Sequence, residues 1–326
     1  MPEPIARDQS RTLRTPQDLA RAGLVAVDAV PGLEAVAARY ATAITPAMAS
    51  LINRDDPADP IGLQYIPDVA ELITAPHELD DPTADAPFTP VKGVVHRYPD
   101  RALLKPFLAC PVYCRFCFRR EKVGPDGGLL SEAELQAALA WFEGNTAIRE
   151  VILTGGDPLM LSARRLGEIL GRLAGMAHIE TLRIHTRVPV ADPARITPKL
   201  VAALRQAKPA FIAVHANHAR EFTPDAAQAL ARLAEAGVPL LGQSVLLRGV
   251  NDDAAAMESL LRAMLRNRIK PYYLHSLDPA PGTARFQVPE AEGLALMAAL
   301  RGKLPGHALP LFVRETPMGG GKKPVE

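Results

Sequence analysis

The chain's three cysteines, Cys110, Cys114 and Cys117, all stand in one CxxxCxxC run. Three soft thiolates on a tight loop suit iron–sulfur chemistry, and three is one fewer than a closed four-iron cluster needs. A [4Fe–4S] cluster held in this way keeps one iron open to a ligand bearing both an amine and a carboxylate. The methionyl part of S-adenosylmethionine is such a ligand. Reduction of the cluster would cleave its sulfonium and yield a 5′-deoxyadenosyl radical, which abstracts hydrogen from unactivated carbon. The rival readings are poorer. Structural cysteines would scatter through a core, a disulfide framework wants an even number, and a closed zinc site needs a fourth Cys or His ligand from elsewhere. A non-catalytic iron–sulfur or electron-transfer protein stays open on this run alone.

A second reactive group lies near the end of the chain. Lys322 follows Gly319, Gly320 and Gly321, in a spacing that is not a Walker A motif. A lysine on a permissive glycine loop can turn inward and condense with an aldehyde cofactor. Without further support, a tail lysine is read as a solvated group.

These residues need a scaffold, and the pattern supplies one. Short apolar runs recur at 102–108, 150–153, 181–185, 210–215, 239–247 and 270–275. Helix punctuation separates them. Ser131 and Glu134 form a capping box before 133–143, which Gly144 can close. Thr197-Pro198 and Thr223-Pro224 each place a capping hydroxyl before a proline at the first helical position, and Gly237 ends the second of these helices. A further helix spans 254–267. Six strand–helix alternations predict a parallel sheet, and with no Gly-x-Gly-x-x-Gly after the first strand the expected fold is α/β, a partial (β/α)6 barrel.

In that register, polar residues fall at the strand ends where parallel barrels build their sites. The cysteine loop follows the first strand, and Thr154, Gly155, Gly156 and Asp157 follow the second. His185 and Arg187 end the third, His215 ends the fourth, Gln243 lies in the fifth and Asp278 follows the sixth. Glycines permit close backbone approach, and Asp157 could accept from the ammonium of the methionyl group. Any one of these residues alone would be unremarkable.

Residues 1–95 carry no strand signal and read as an N-terminal helical region, with helices at 33–40 and after Thr45-Pro46, and with 1–14 loose. Proline- and aspartate-rich connections fill 55–60 and 80–90. The expected division is 1–95, 96–280 for the barrel, and 281–326 for a C-terminal segment carrying Lys322. With 48% apolar residues and a net charge of +1, the chain can bury a large core and shows no electrostatic footprint for nucleic acid. No apolar run is long enough to span a bilayer, and the cysteine usage suits the reducing cytoplasm.

From His96 to Pro324 the chain resembles the lysine 2,3-aminomutase family of radical S-adenosylmethionine enzymes, which also use pyridoxal 5′-phosphate. The match is carried by 96–101 (HRYPDR), by the cysteine loop with Phe116 before the last cysteine and Phe118-Arg119-Arg120 after it, and by 154–157. It continues through 186–190 (TRVPV), 215–218 (HANH), 243–252 (QSVLLRGVND), Pro271-Tyr272-Tyr273 and the Gly-Gly-Gly-Lys tail. The resemblance implies that Lys322 holds the pyridoxal group covalently and that Arg97, Tyr98 and Arg101 bind its phosphate. His215 and Gln243 match cofactor-lining positions. Arg119 falls where the family clamps the substrate α-carboxylate, and Asp278 and Glu315 where its lysine enzymes hold the ε-ammonium. A glutamate enzyme would want a basic residue there. Glu315 is one methylene longer than the aspartate typical of the fermentative enzymes, whose zinc-binding C-terminal extension has no counterpart here. The shorter form resembles bacterial enzymes that make (R)-β-lysine for elongation factor P. The implied activity is conversion of L-α-lysine to (R)-β-lysine, with a flavodoxin or ferredoxin as reductant and a ligase acting on that factor downstream. Ornithine or arginine remains an alternative substrate.

Overall fold

The computed structural model describes residues 11–125, 127–205, 208, 210–316 and 321–326. Among them, one nine-stranded sheet runs in sequence order from β1 to β9. The strands are β1 (Val94–Tyr98), β2 (Arg101–Phe107), β3 (Glu150–Gly155), β4 (Thr181–Thr186), β5 (Ala210–His215), β6 (Leu240–Val245), β7 (Lys270–His275), β8 (Leu311–Thr316) and β9 (Gly321–Pro324). Strands β2 to β8 are parallel, while β1 and β9 pair antiparallel at the two edges. The fold is therefore a partial, nearly closed α/β barrel. It has one parallel strand more than the six expected, because β8 follows the helix Glu290–Arg301 as a seventh unit.

The six apolar runs of the sequence become β2 to β7. Alternation along them divides the barrel into two faces. Ala102 and Leu104, Leu182 and Ile184, Ile212 and Val214, and Leu274 point outward into one core with the surrounding helices. Their inward neighbours, Arg183 and His185 on β4, Phe211 and His215 on β5, and Tyr273 and His275 on β7, line an internal cavity. An all-parallel strand is normally apolar on both faces. Polar inward residues are thus the feature that a packed barrel does not need.

The helices close as their caps dictate. Glu132–Gly144 carries the capping box of Ser131 and Glu134, Pro198–Leu204 is capped by Thr197, and Pro224–Glu235 by Thr223. Ala254–Arg266 is capped by Asp253. The helix Ala163–Gly175 is an addition to those expected, although Ser162 caps it and Leu166, Ile169, Leu170 and Leu173 form its buried stripe. Truncating Leu170, which is fully buried, to alanine would cost about 2–5 kcal/mol.

Three strands at the two ends of the sheet are likewise additions. β1 begins inside the region expected to be helical and turns at Pro99-Asp100 into β2, while β8 and β9 make the C-terminal segment continuous with the barrel sheet. Short, half-polar strands carry little periodicity, which is the physical reason for their silence. The N-terminal region does hold short helices, including Val30–Arg39 and Pro46–Ala49. Its start is less loose than expected. Leu13 is buried and bonded through both backbone groups to Ile44, at 2.9 Å each way. Residues 1–10 lie outside the described residues. Leu13, Leu19, Ile44, Met48 and Tyr65 form a second core that includes Val112 of the cysteine loop, so the N-terminal region supports that loop directly. No helix among the described residues is long and apolar enough to cross a membrane.

Candidate active site

The inward side chains surround a cavity of about 560 Å³ that runs through the barrel, from Arg101 and Glu150 at the strand starts to the loops at their C-terminal ends. Its walls bring together all fifteen residues given a site role from the sequence: the three cysteines, Gly155, Gly156 and Asp157, Arg97, Tyr98, Arg101, Arg119, His215, Gln243, Asp278, Glu315 and Lys322. Met318, Gly319 and Gly320 of the glycine tail lie outside the described residues.

The cysteine loop is fixed by charge on both sides. Buried Arg115 and Arg120 both bind the carboxylate of Glu71 from the N-terminal region, Arg115 through Nε at 3.0 Å. Arg285 reaches the same carboxylate from the C-terminal side, at 3.3 Å. Inside the loop, Arg187 at the end of β4 donates from Nη1 to Cys114 Sγ at 3.2 Å. Its Nη2 is held by Gln64 and Glu221, each at 2.6 Å. Burial opposes the charge of Arg187, but Cys114 and Glu221 hold its acidity far below that of a free guanidinium. Burial pushes all three thiols upward, Cys117 to about 11. A metal taken up here must therefore displace protons, and Arg187 offsets part of the thiolate charge. Among the described residues, no three Cys, His, Asp or Glu side chains converge as they would around a single metal ion. Thiolates spread over a loop fit a multi-iron cluster, in which each binds a separate iron and no fourth protein ligand closes the site.

Gly155 and Gly156 run against the backbone that leads into the cysteine loop. Gly155 has φ +109°, and a Cβ on Gly156 would sit 2.4 Å from the carbonyl oxygen of Ala109. Backbone N–H groups of Gly156 and Asp157 donate to Phe107 and Ala109 at 2.8 and 3.0 Å. The glycines thus dock the β3 turn onto the cysteine loop. Asp157 departs from its expected role. Its carboxylate accepts from Thr186 Oγ1 and Arg187 N, both at 2.7 Å, and from the N–H groups of Leu159 and Val188 at 3.0 and 3.2 Å. Four protein donors occupy it, so it braces the ends of β3 and β4 in place of accepting a ligand ammonium. Burial still pushes its pKa above the usual carboxylate range.

Opposite the cysteines, side chains bridge the seam between β1 and β9. Tyr98 Oη accepts the backbone N–H of Lys322 at 2.6 Å. Gly321 has φ +62° and packs so closely on the Tyr98 ring that a Cβ would lie 2.4 Å from the hydroxyl oxygen. Lys322 Nζ donates to Glu315 Oε2 at 3.0 Å. The other oxygen of Glu315 lies 3.0 Å from Arg97 Nη1, which also donates to the Thr83 carbonyl at 2.5 Å. The guanidinium of Arg101 lies 4.2 Å over the Tyr98 ring. Asp278, half-buried, lies close by. Burial and the neighbouring Glu315 raise its carboxyl to about 7. Among the described residues its carboxylate has no hydrogen bond or ion pair.

Arg119 lies over the Phe118 ring at 4.4 Å and pairs with Asp85 Oδ2 at 3.0 Å. His215 Nε2 is 3.2 Å from Asn217 Oδ1, and burial lowers this imidazole to about 3. Several further residues of the cavity, some of them named in the sequence without a role, add to this picture. His185 and His275 are driven well below the ordinary histidine range, first by burial. Arg183 pairs with Glu150 at 3.0 Å inside the barrel, and the hydroxyls of Tyr272 and Tyr273 bond at 2.9 Å. Strand alternation could have found His275 and Tyr273. Glu71 and Asp85 carry no local signal, because their partners are far away in the chain.

Comparison with known proteins follows the same lines. The Radical SAM superfamily model matches residues 104–261. The chain is 41% identical over 283 residues to the L-lysine 2,3-aminomutase of Clostridium subterminale, covering 87% of this chain and 68% of that protein. It is 37% identical over 293 residues to the glutamate 2,3-aminomutase of Clostridioides difficile, covering 90% and 69%. Among solved structures, Streptococcus suis SuiB bound to the precursor peptide SuiA superimposes with a TM-score of 0.50 at 14% identity. That likeness covers 68% of this chain and 50% of the other, and it concerns the fold alone.

Proposed function

Because the chain belongs to the lysine 2,3-aminomutase family of radical S-adenosylmethionine enzymes, we propose that this isomerase moves the α-amino group of L-lysine to C3 and releases (R)-β-lysine. The observation that carries the choice of substrate is the acidic pair Asp278 and Glu315. A carboxyl raised to about 7 with no cation of its own suits a substrate ammonium, which needs paired carboxylates to offset its desolvation. The γ-carboxylate of glutamate would instead meet two acids of its own sign.

The remaining roles follow from the same walls. Cys110, Cys114 and Cys117 would hold the cluster, with Arg187 donating to one sulfur. Lys322 would tether pyridoxal phosphate, with Arg97 and Arg101 beside its phosphate. When bound, the cluster with S-adenosylmethionine supplies the hydrogen-abstracting radical, and the pyridoxal ring supplies the conjugation through which nitrogen migrates. Arg119 takes the α-carboxylate, so that the substrate is fixed at both ends and the C3 hydrogen is presented in one orientation. With Lys322 tethered and a phosphate on Arg97, Glu315 would have fewer partners among the protein cations and could join Asp278 on the substrate ammonium. The buried, neutral imidazoles of His215, His185 and His275 line the site without adding charge. A flavodoxin- or ferredoxin-type protein would supply the electron.

The test is anaerobic reconstitution followed by chiral analysis of products from L-lysine, L-ornithine, L-arginine and L-glutamate. Formation of (R)-β-lysine at the highest kcat/KM is expected. Preferential turnover of glutamate, ornithine or arginine would overturn the assignment. The resemblance also supports delivery of the product to elongation factor P. That step is checked by the mass of the factor after incubation with its ligase and the enzymatic product.

A further inference from the structure

Residues 80–90 enter the sequence as a polar connection, yet they form one rim of the site. The Thr83 carbonyl accepts from Arg97, and Asp85 Oδ2 accepts from Arg119 Nη2 at 3.0 Å and Nε at 3.4 Å. Lys105 Nζ lies 3.4 Å from the same oxygen, and Thr83 Oγ1 donates to Oδ1 at 3.2 Å.

We infer that Asp85 is the positioning residue of Arg119: by occupying the Nε–Nη2 edge of the guanidinium it leaves the Nη1 side as the donor face for the substrate α-carboxylate. This inference rests on the reading of Arg119 as the carboxylate clamp. Three observations carry it. First, the guanidinium is constrained twice, by Asp85 at its edge and by the Phe118 ring against its face at 4.4 Å. A planar fork boxed in this way loses little further freedom when a carboxylate arrives.

Second, Asp85 is built to stay where it is. It is 3% exposed. Its turn is locked by Ala86 N–H on Asp81 and by Thr89 Oγ1 on the Asp85 carbonyl, both at 2.8 Å. The preceding Ala84 holds φ +49°, a conformation that a residue with a Cβ keeps only when its surroundings impose it. A carboxylate meant to leave Arg119 when substrate enters would not need such a mounting. Burial opposes its ionisation, but Arg119 and Lys105 hold the carboxyl far below the ordinary range, so it remains charged.

Third, the charges balance for one ligand group. Arg119 and Lys105 contribute two positive charges and Asp85 one negative, so a single positive charge remains for a single carboxylate. Without Asp85 the corner would hold two cations and an unoriented fork.

The experiment uses cofactor-loaded, unreduced full-length protein. Dissociation constants for L-lysine and for lysinamide, which lacks the carboxylate, are read from the absorbance of the pyridoxal group. Asp85→Asn keeps the shape and removes the charge. The expected result is a lysine dissociation constant raised about tenfold, as for loss of one charge-assisted contact, with lysinamide binding unchanged. Asp85→Glu should recover part of the difference, and an unchanged iron content shows that the variant has folded. Equal shifts for lysine and lysinamide would mark a merely structural role and overturn the inference. So would unchanged or tighter lysine binding, the result expected of a competing, displaceable carboxylate. Arg119→Lys separates the two levels. If that variant still discriminates lysine from lysinamide as the wild type does, the reading of Arg119 fails, and the inference with it. If it loses discrimination while Asp85→Asn keeps it, only the inference fails.

Discussion

Around the cysteines, buried charges come in closed sets. Glu71 is gripped by Arg115, Arg120 and Arg285, Arg187 is held between Glu221 and Cys114, and Asp157 is surrounded by four donors. Across the cavity, the seam between β1, β8 and β9 is arranged differently. Lys322, Arg97, Glu315 and Asp278 share too few fixed partners, and one carboxyl is held near neutrality. The first wall behaves as a mount, whose groups cannot change partners without exposing a buried charge. The second is a set of charges that can be redistributed when a phosphate, an aldehyde or an ammonium arrives. A radical enzyme needs both. The cluster must not move, and the substrate must be exchanged at every turnover.

That contrast can be broken at four points. The largest effect is expected from Lys322→Ala. Turnover should fall by about a thousandfold or more, and borohydride should no longer trap the pyridoxal group, while iron and sulfide contents stay at the wild-type level. Loss of iron in this variant would erase the distinction between the walls. Glu71→Gln should do the reverse. Removing the charge from a buried set that holds three arginines costs about 3–5 kcal/mol, read as a lower Tm and poor iron retention.

Asp278 gives the next effect, and its sign is fixed by its raised pKa. The carboxyl is at about 7 against an ordinary value of 3.8. Between those values the folded chain retains a proton that the unfolded chain has released. Its contribution to stability therefore declines as pH rises from about 4 to about 7, and it is constant above that. Asp278→Asn should remove this slope in a denaturant titration repeated across that range. Over the same window the wild type should bind lysine more tightly as pH rises through about 7, because the carboxylate that receives the ammonium is then charged. In Asp278→Asn, binding should be weaker by about tenfold or more and flat with pH. The smallest effect belongs to Tyr98→Phe. Losing the acceptor for the Lys322 N–H should cost about 1 kcal/mol, seen as a several-fold drop in borohydride trapping with no change in iron.

Much of this molecule is legible in its sequence. The cysteine run, the capped helices and the polar residues at strand ends are local patterns whose spacing reflects a helical turn, a pleat or a loop. They point to the barrel, and together with the residues marked by the family resemblance they account for fifteen side chains and glycines that line one cavity. Strands β1, β8 and β9 escape because short half-polar segments have no distinctive period. The contacts of Asp157 escape for a different reason. An aspartate after two glycines looks alike whether its carboxylate faces a ligand or four protein donors, and three of those donors come from the end of β4 and the residues just after it.

By itself, then, the sequence determined the chemistry that this chain can host: three thiolates without a fourth ligand and a lysine on a glycine loop, with two acids and an arginine marked by the family resemblance. The first two depend on residue type and near-neighbour spacing. Only the tertiary structure decided how the charges are shared. Glu71 lies 44 residues from Arg115, Asp85 lies 34 from Arg119, and Tyr98 lies 224 from Lys322. Electrostatic pairing in a buried site acts over a few ångströms, and no local pattern records which distant residues folding will bring within that range.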